Sequence, residues 1–307
     1  MERVWDEVLL SRQDPLYGDE WSHTQFVQLM RKTPLVIENN KNVVIFGASG
    51  FIGGYLNQYL EKMGFKNIST PALRQEIPKR RKFDIGFWCV GKTANFRDST
   101  IETLDAHVNL LNAVLSNNEF GRFVLLSSTR VYQWSGDTHP SAPITLQPSM
   151  TDDLYNISKL LGESVVTQHL PEKSLILRVS NILGPAEETR NTFIGQLLRA
   201  IENGTLILDT TLDSEKDYLW ISSAIQQIYE QGFSEKTGVL NIGGGQNISN
   251  EEWIAALERK FQFCWSVSDI AKRTIFPRIE LDDSCKITAL IDPIINVCAT
   301  TQIRAKI

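Results

Sequence analysis

Val43-Val44-Ile45-Phe46-Gly47-Ala48-Ser49-Gly50-Phe51-Ile52-Gly53-Gly54-Tyr55 reads as a strand, a glycine turn and the opening of a helix. The apolar run Val43 to Phe46 is too short for a helix and suits a buried parallel strand. Phe51, Ile52, Tyr55, Leu56, Tyr59 and Leu60 then give the next segment a helical apolar face. Gly47 allows a tight turn, Gly50 lets the backbone approach a pyrophosphate, and Gly53 lets the helix pack close to the strand. Free N–H groups at the helix start favour an anion. A glycine turn alone also arises for steric reasons, but here strand and helix both sit where a dinucleotide site requires them. Gly47, Ser49, Gly50, Phe51, Ile52 and Gly53 are the expected cofactor cradle.

The segments that follow alternate strand and helix. Lys66 to Thr70 predicts a second strand, Phe83 to Val90 a third, and Arg122 to Leu126 a fourth. Leu104, Val108, Leu111 and Leu115 mark a helix between the last two, on which His107 reads as an ordinary packed or capped histidine. This alternation predicts an α/β fold with a doubly wound, Rossmann-type parallel sheet. Val90, Gly91 and Lys92 would then lie at the C-terminal edge of the sheet beside the cofactor, with Lys92 equally suited to face solvent. The end of the second strand, where an Asp or Glu would bind the ribose hydroxyls of NAD, carries Ser69, Thr70 and Arg74 instead. A nearby arginine suits a 2′-phosphate, which favours NADP(H) over NAD(H), although Arg74 serves equally as a surface residue.

Chemistry is concentrated after the fourth strand. It ends in Ser127-Ser128-Thr129-Arg130, and Tyr155-Asn-Ile-Ser-Lys159 follows after a loop rich in Pro, Ser and Thr. Tyr155 and Lys159 share one face of a helix, so the ammonium can lie beside the phenol. A phenol titrates near ~10, and a neighbouring cation together with a nicotinamide's charge would lower that. Tyr155 then serves as acid or base on a sugar hydroxyl or ketone, with Ser128 orienting the same oxygen.

The glycine turn, the Ser-Ser strand end and YxxxK, in that order, resemble the extended short-chain dehydrogenase/reductase family of nucleotide-sugar epimerases, dehydratases and reductases. Leu177-Arg-Val-Ser-Asn181-Ile-Leu-Gly-Pro185, Lys216-Asp-Tyr-Leu-Trp-Ile221 and Gly238-Val-Leu-Asn-Ile-Gly243 extend the likeness over roughly residues 42–260. The resemblance implies a Ser128, Tyr155 and Lys159 triad, with Tyr155 and Lys159 also touching the nicotinamide ribose. It places Asn181 against the substrate diphosphate region, and Lys216 where an arginine often stands near the phosphates. Family dehydratases follow the catalytic Ser/Thr with an Asp-Glu pair; Thr129 and Arg130 occupy those positions here, so dehydration is disfavoured and both are candidate substrate contacts. Thr103 stands where the family commonly has Asn.

The resemblance therefore implies an NAD(P)-dependent oxidoreductase acting at C4 of a nucleotide-diphosphate sugar, most simply a 4-keto reductase, with a 4-epimerase holding tightly bound NAD as the rival. A cofactor-binding sensor or scaffold without catalysis is the reading from another class. It also implies a homodimer formed through the helices containing Thr103 to Leu115 and Tyr155 to Gln168.

Around this centre, residues 1–40 predict a helical extension covering the sheet, capping the site or contacting a second subunit. The expected cofactor domain is 41–180 plus about 214–240, and about 181–213 plus 241–307 form a small α/β C-terminal substrate lobe. Of 307 residues, 42% are hydrophobic and 22% charged, ordinary values for a soluble globular enzyme. The net charge of −5, with no basic stripe, argues against a nucleic-acid partner. Lys79-Arg80-Arg81-Lys82 reads as a solvated loop, with a cofactor-phosphate role, from its place between two early strands, as the alternative. Cys89, Cys264, Cys285 and Cys298 are too widely spaced for a zinc site or a disulfide framework, so no metal is expected and reduced thiols in the cytoplasm are. No stretch reaches the length of a membrane span.

Overall fold

The computed structural model describes residues 40–281 apart from 74, 93–95, 97–98, 185–194, 196, 198–202 and 260. The N-terminal extension, Arg74 and the end of the C-terminal lobe lie outside the described residues.

A six-stranded sheet is built from β1 (Val43–Phe46), β2 (Ile68–Ser69), β3 (Lys82–Trp88), β4 (Glu119–Ser128), β5 (Ser174–Val179) and β9 (Gly238–Ile242), in the order β2-β1-β3-β4-β5-β9. Every pairing is parallel. Alternate residues of β1 serve opposite faces. Val43 and Ile45 pack with Leu56, Leu60, Ile225 and Ile228, contributed by α1 (Phe51–Lys62) and α5 (Ile221–Gly232). Val44 and Phe46 pack instead with Leu111, Val114 and Val166, from α3 (Leu110–Asn117) and α4 (Asp153–His169). A sheet covered on both faces explains why its strands read as continuous apolar runs.

The chain leaves β1 for β2 on one side and returns to β3 on the other. That reversal opens a crevice at the carboxyl ends of β1 and β3, the place where open α/β sheets hold ligands.

Several boundaries differ from expectation. β2 is only Ile68–Ser69, because Pro71 comes two residues later and cannot donate to a ladder. β3 ends at Trp88, short of Val90: Cys89 N–H still donates to Phe46 O at 2.9 Å, and the chain then leaves the sheet. β4 is longer than predicted and carries Ser127 and Ser128 within it. The helix before β4 is interrupted. α2 (Thr100–Leu104) passes through a wide π-helical turn, Asp105–Asn109, before α3 begins.

The lobe has two small sheets. β10 (Asn247–Ser249), β8 (Glu215–Trp220) and β6 (Asn181–Leu183) form one, while β11 (Cys264–Lys272) pairs parallel with β7 (Thr205–Thr210). β8 thus belongs to the small sheet, and the chain rejoins the large one through α5 and β9. Leu206, Leu208, Tyr218, Trp253, Ile254 and Leu257 form the lobe's own core. Its helix α6 (Asn250–Glu258) opens at Ser249 with a capping box closed by Glu252. No helix among the described residues is long and apolar enough to cross a membrane.

Candidate active site

The glycine turn closes as its composition requires. Gly47 has φ +86°, a left-handed conformation that costs a side-chain-bearing residue energy. A Cβ on Gly53 would lie 2.2 Å from Gly47 O, so helix and turn meet only because that atom is missing. Gly50 is the N-cap of α1; no side chain caps this helix and its first turn has no acidic residue. The exposed Ser49 and Gly50, with the half-buried Phe51 and Ile52, frame this uncapped terminus. Backbone donors left open at a helix start fit the pyrophosphate of a dinucleotide.

Ser128, Tyr155 and Lys159 meet at the end of β4. Tyr155 is 5% exposed and hydrogen-bonded to Ser128, whose Oγ also accepts from Arg130 N–H at 3.2 Å. Lys159 Nζ donates to Leu126 O at 3.1 Å and lies 5.9 Å from the centroid of the Tyr155 ring. Gly91 closes this corner, since a Cβ there would be 3.5 Å from Lys159 Nζ.

The electrostatics differ from the expected pairing of amine and phenol. Burial is the largest influence on Tyr155 and holds its phenol above the ordinary value; the Ser128 hydrogen bond and the charge of Arg130 pull the other way. The Arg130 guanidinium carbon lies 5.6 Å from the Tyr155 ring centroid and 5.1 Å from that of Phe96, with Asp152 at 3.7 Å from Nη2. Arg130, read from the sequence as a substrate contact, is therefore also the cation acting on the phenol. Lys159 is itself desolvated and falls to about 8, with Glu163 and Cys89 opposing the fall.

The remaining predicted residues fall as follows. Thr129 is buried beside Arg130. Val90 is half-buried against the apolar cluster of the α3/α4 face, and Lys92 donates its backbone N–H to His107 Nε2 at 3.2 Å. Asn181 and Lys216 lie on the small sheet: Asn181 Nδ2 donates to Asp217 O at 2.8 Å, and Lys216 Nζ stands 5.8 Å from the Phe276 ring. Thr103, buried completely, donates its hydroxyl to Ser99 O.

His107, read as an ordinary packed or capped histidine, does more than pack, and a second group escaped the sequence reading. His107 is 2% exposed and makes polar contacts through both ring nitrogens. Beneath the triad, Arg178 grips Glu163 with both arms, Nε to Oε1 at 3.1 Å and Nη2 to Oε2 at 2.7 Å. Ser127 Oγ donates to the same carboxylate, Arg178 Nη1 donates to Tyr132 Oη at 2.8 Å, and the Tyr132 hydroxyl in turn donates to Asn241 Oδ1 at 2.9 Å. The available signal was Glu163 one helical turn past Lys159 and a charged residue inside the apolar strand Leu175 to Val179.

A parallel doubly wound sheet with a glycine-turn helix start and a Ser, Tyr, Lys cluster at its carboxyl edge defines a nucleotide-cofactor enzyme fold of the extended short-chain dehydrogenase/reductase type. The family model described as "NAD dependent epimerase/dehydratase family" matches residues 43–243, and the chain belongs to that family. No curated protein matches the sequence. Among solved structures, MoeE5 in complex with UDP-glucose and NAD is similar with TM-score 0.69 and 17% identity, over 85% of this chain and 98% of that one. RMD from Pseudomonas aeruginosa, complexed with NADPH, gives TM-score 0.67 and 16% identity over 86% and 98%. UDP-glucuronic acid 4-epimerase from Bacillus cereus, with UDP-glucuronic acid and NAD, gives 0.67 and 14% over 85% and 98%. At these identities the likeness establishes the fold.

Proposed function

We propose that this protein is an NAD(P)-dependent oxidoreductase acting at C4 of a nucleotide-diphosphate sugar, and that it reduces a 4-keto sugar nucleotide. The observation that carries the reading is the state of Tyr155. Its phenol is buried, hydrogen-bonded to Ser128 and held above its ordinary value, so it is protonated at neutral pH and ready to donate to a carbonyl oxygen. A nicotinamide bound beside it supplies the hydride. Ser128 orients the same substrate oxygen, Lys159 holds the cofactor ribose, and the uncapped start of α1 receives the pyrophosphate. Arg130 occupies the position at which dehydratases use a carboxylate, and a guanidinium cannot act as that acid or base. Asn181 and Lys216 are read as contacts for the nucleotide diphosphate.

Supplying purified protein with a 4-keto sugar nucleotide and NADPH should consume the reduced cofactor in proportion to substrate. The competing 4-epimerase reading, which similar structures of that activity favour, predicts turnover with a copurifying NAD that is never consumed. Substrate converted neither with consumption of NADPH nor with a bound NAD would leave a binding protein. NADP(H) is favoured because β2 ends at Ser69 and Thr70 follows it, without an acidic residue at this point, and NADH as the better reductant would reverse that preference.

Lys159 sets an alkaline limit. Its ammonium form is the one that can hold the ribose and support the phenol, and burial brings it to about 8. Since the charged form exists below that value, kcat/KM is expected to fall as pH rises through about 8. A profile flat to pH 10 would remove Lys159 from the acid–base chemistry.

The exposed Ile101 on α2 and Leu161 on α4 support pairing of these helices in a homodimer. The scattered cysteines support a cytoplasmic setting.

A further inference from the structure

We propose that His107 is a positioning residue that ties the cofactor-side loop at Lys92 to the backbone of Tyr155. The proposal rests on Tyr155 being the proton donor of the reaction above. His107 lies in the π-helical turn Asp105–Asn109, an irregularity that recurs at functional sites because the extra residue turns a side chain out of the regular helical register. Its ring spans two elements. On one side Nε2 accepts from Lys92 N–H at 3.2 Å, just past the end of β3 where the cofactor crevice opens. On the other, Nδ1 meets Ser158 Oγ at 2.8 Å, and Ser158 Oγ donates to Tyr155 O at 2.9 Å.

These contacts determine the tautomer. An Nε2 that accepts carries no proton, so the neutral ring bears its proton on Nδ1 and donates it to Ser158, whose own proton goes to the tyrosine carbonyl. Each donor in the line has one acceptor. Burial, aided by the charge of Lys159, keeps the ring neutral, with His107 pushed down to about 2. The imidazole also packs edge-on against the Tyr155 ring, with centroids 5.3 Å apart and an interplanar angle of 87°.

A residue that merely filled this space would need none of those polar contacts, and leucine would replace it well. A residue that holds the loop and the tyrosine in register must keep both nitrogens in use, because small displacements of a catalytic group cost large factors in rate. Filling and positioning therefore predict opposite rankings of two substitutions.

The test uses His107→Gln, His107→Leu and Ser158→Ala in the full chain, read by fluorescence titration of NADPH and NADH and by steady-state kinetics with a 4-keto sugar nucleotide. Glutamine can present an oxygen near the Nε2 position but no donor at Nδ1. His107→Gln is expected to keep cofactor affinity within about twofold while kcat falls about tenfold, with Ser158→Ala matching its loss of kcat. His107→Leu should lose kcat similarly and in addition bind cofactor roughly five- to tenfold more weakly, the value of one lost hydrogen bond. Leucine matching or outperforming glutamine in cofactor affinity would overturn the proposal, as would unchanged kcat in both His107→Gln and Ser158→Ala. Should Tyr155→Phe retain turnover, the assignment of the proton donor fails; should Tyr155→Phe lose turnover while the other variants do not, only the role of His107 fails.

Discussion

Replacing Tyr155 with phenylalanine is expected to lower kcat about a thousandfold, the range over which a positioned general acid operates. Cofactor affinity should stay within about twofold, since the change removes one hydroxyl and leaves the ring. The ring's neighbours explain why structure survives. Phe96 packs on it at 5.4 Å, His107 at 5.3 Å and Arg130 at 5.6 Å, all through the aromatic surface that phenylalanine retains. Ser128 loses its bond to the phenol but still accepts from Arg130 N–H. Single-turnover consumption of NADPH with substrate in excess isolates the chemical step, and wild-type rates in the variant would take the phenol out of the mechanism.

Arg178→Met should be the most destabilising single substitution at the site, by about 3–5 kcal/mol, because it leaves the Glu163 carboxylate buried without its cation. Both side chains are buried, at 5% and 7% exposure, so water cannot take the place of the guanidinium. The damage would spread, since Ser127 shares the Glu163 carboxylate and Tyr132 relays the arginine to Asn241, whose amide donates to Thr138 O and Glu280 O. Urea denaturation measures the loss. Replacing both partners, Arg178→Met with Glu163→Leu, should recover most of it, as apolar substitution of a whole buried pair is often neutral. A single variant as stable as the parent would show that the pair carries no structural charge at all.

The site joins two kinds of information. The glycine turn was legible because each requirement is local: the positive φ at Gly47 and the missing Cβ at Gly53 are satisfied within one strand–turn–helix unit. The helix start at Ser249 is specified just as locally, a capping box being complete within four residues. Tyr155 and Lys159 share a helix face by spacing alone. The lobe strand β11 was not legible: its exposed and half-buried residues show no clean alternation, and pairing with β7 makes it a strand.

The amino-acid sequence by itself determined the parallel sheet, the glycine turn and the shared helix face of Tyr155 and Lys159, because those depend on contacts between residues close together in the chain or on strands whose apolar pattern admits one environment. Only the tertiary structure decided which charges act on the phenol and what holds the triad in place. His107 meets Ser158 across 51 residues, Tyr132 meets Asn241 across 109, and Arg130 reaches the Tyr155 ring from another element. Such contacts arise when separate strands and helices are packed at fixed distances, and burial then multiplies the effect of each charge and hydrogen bond by excluding the water that would screen it.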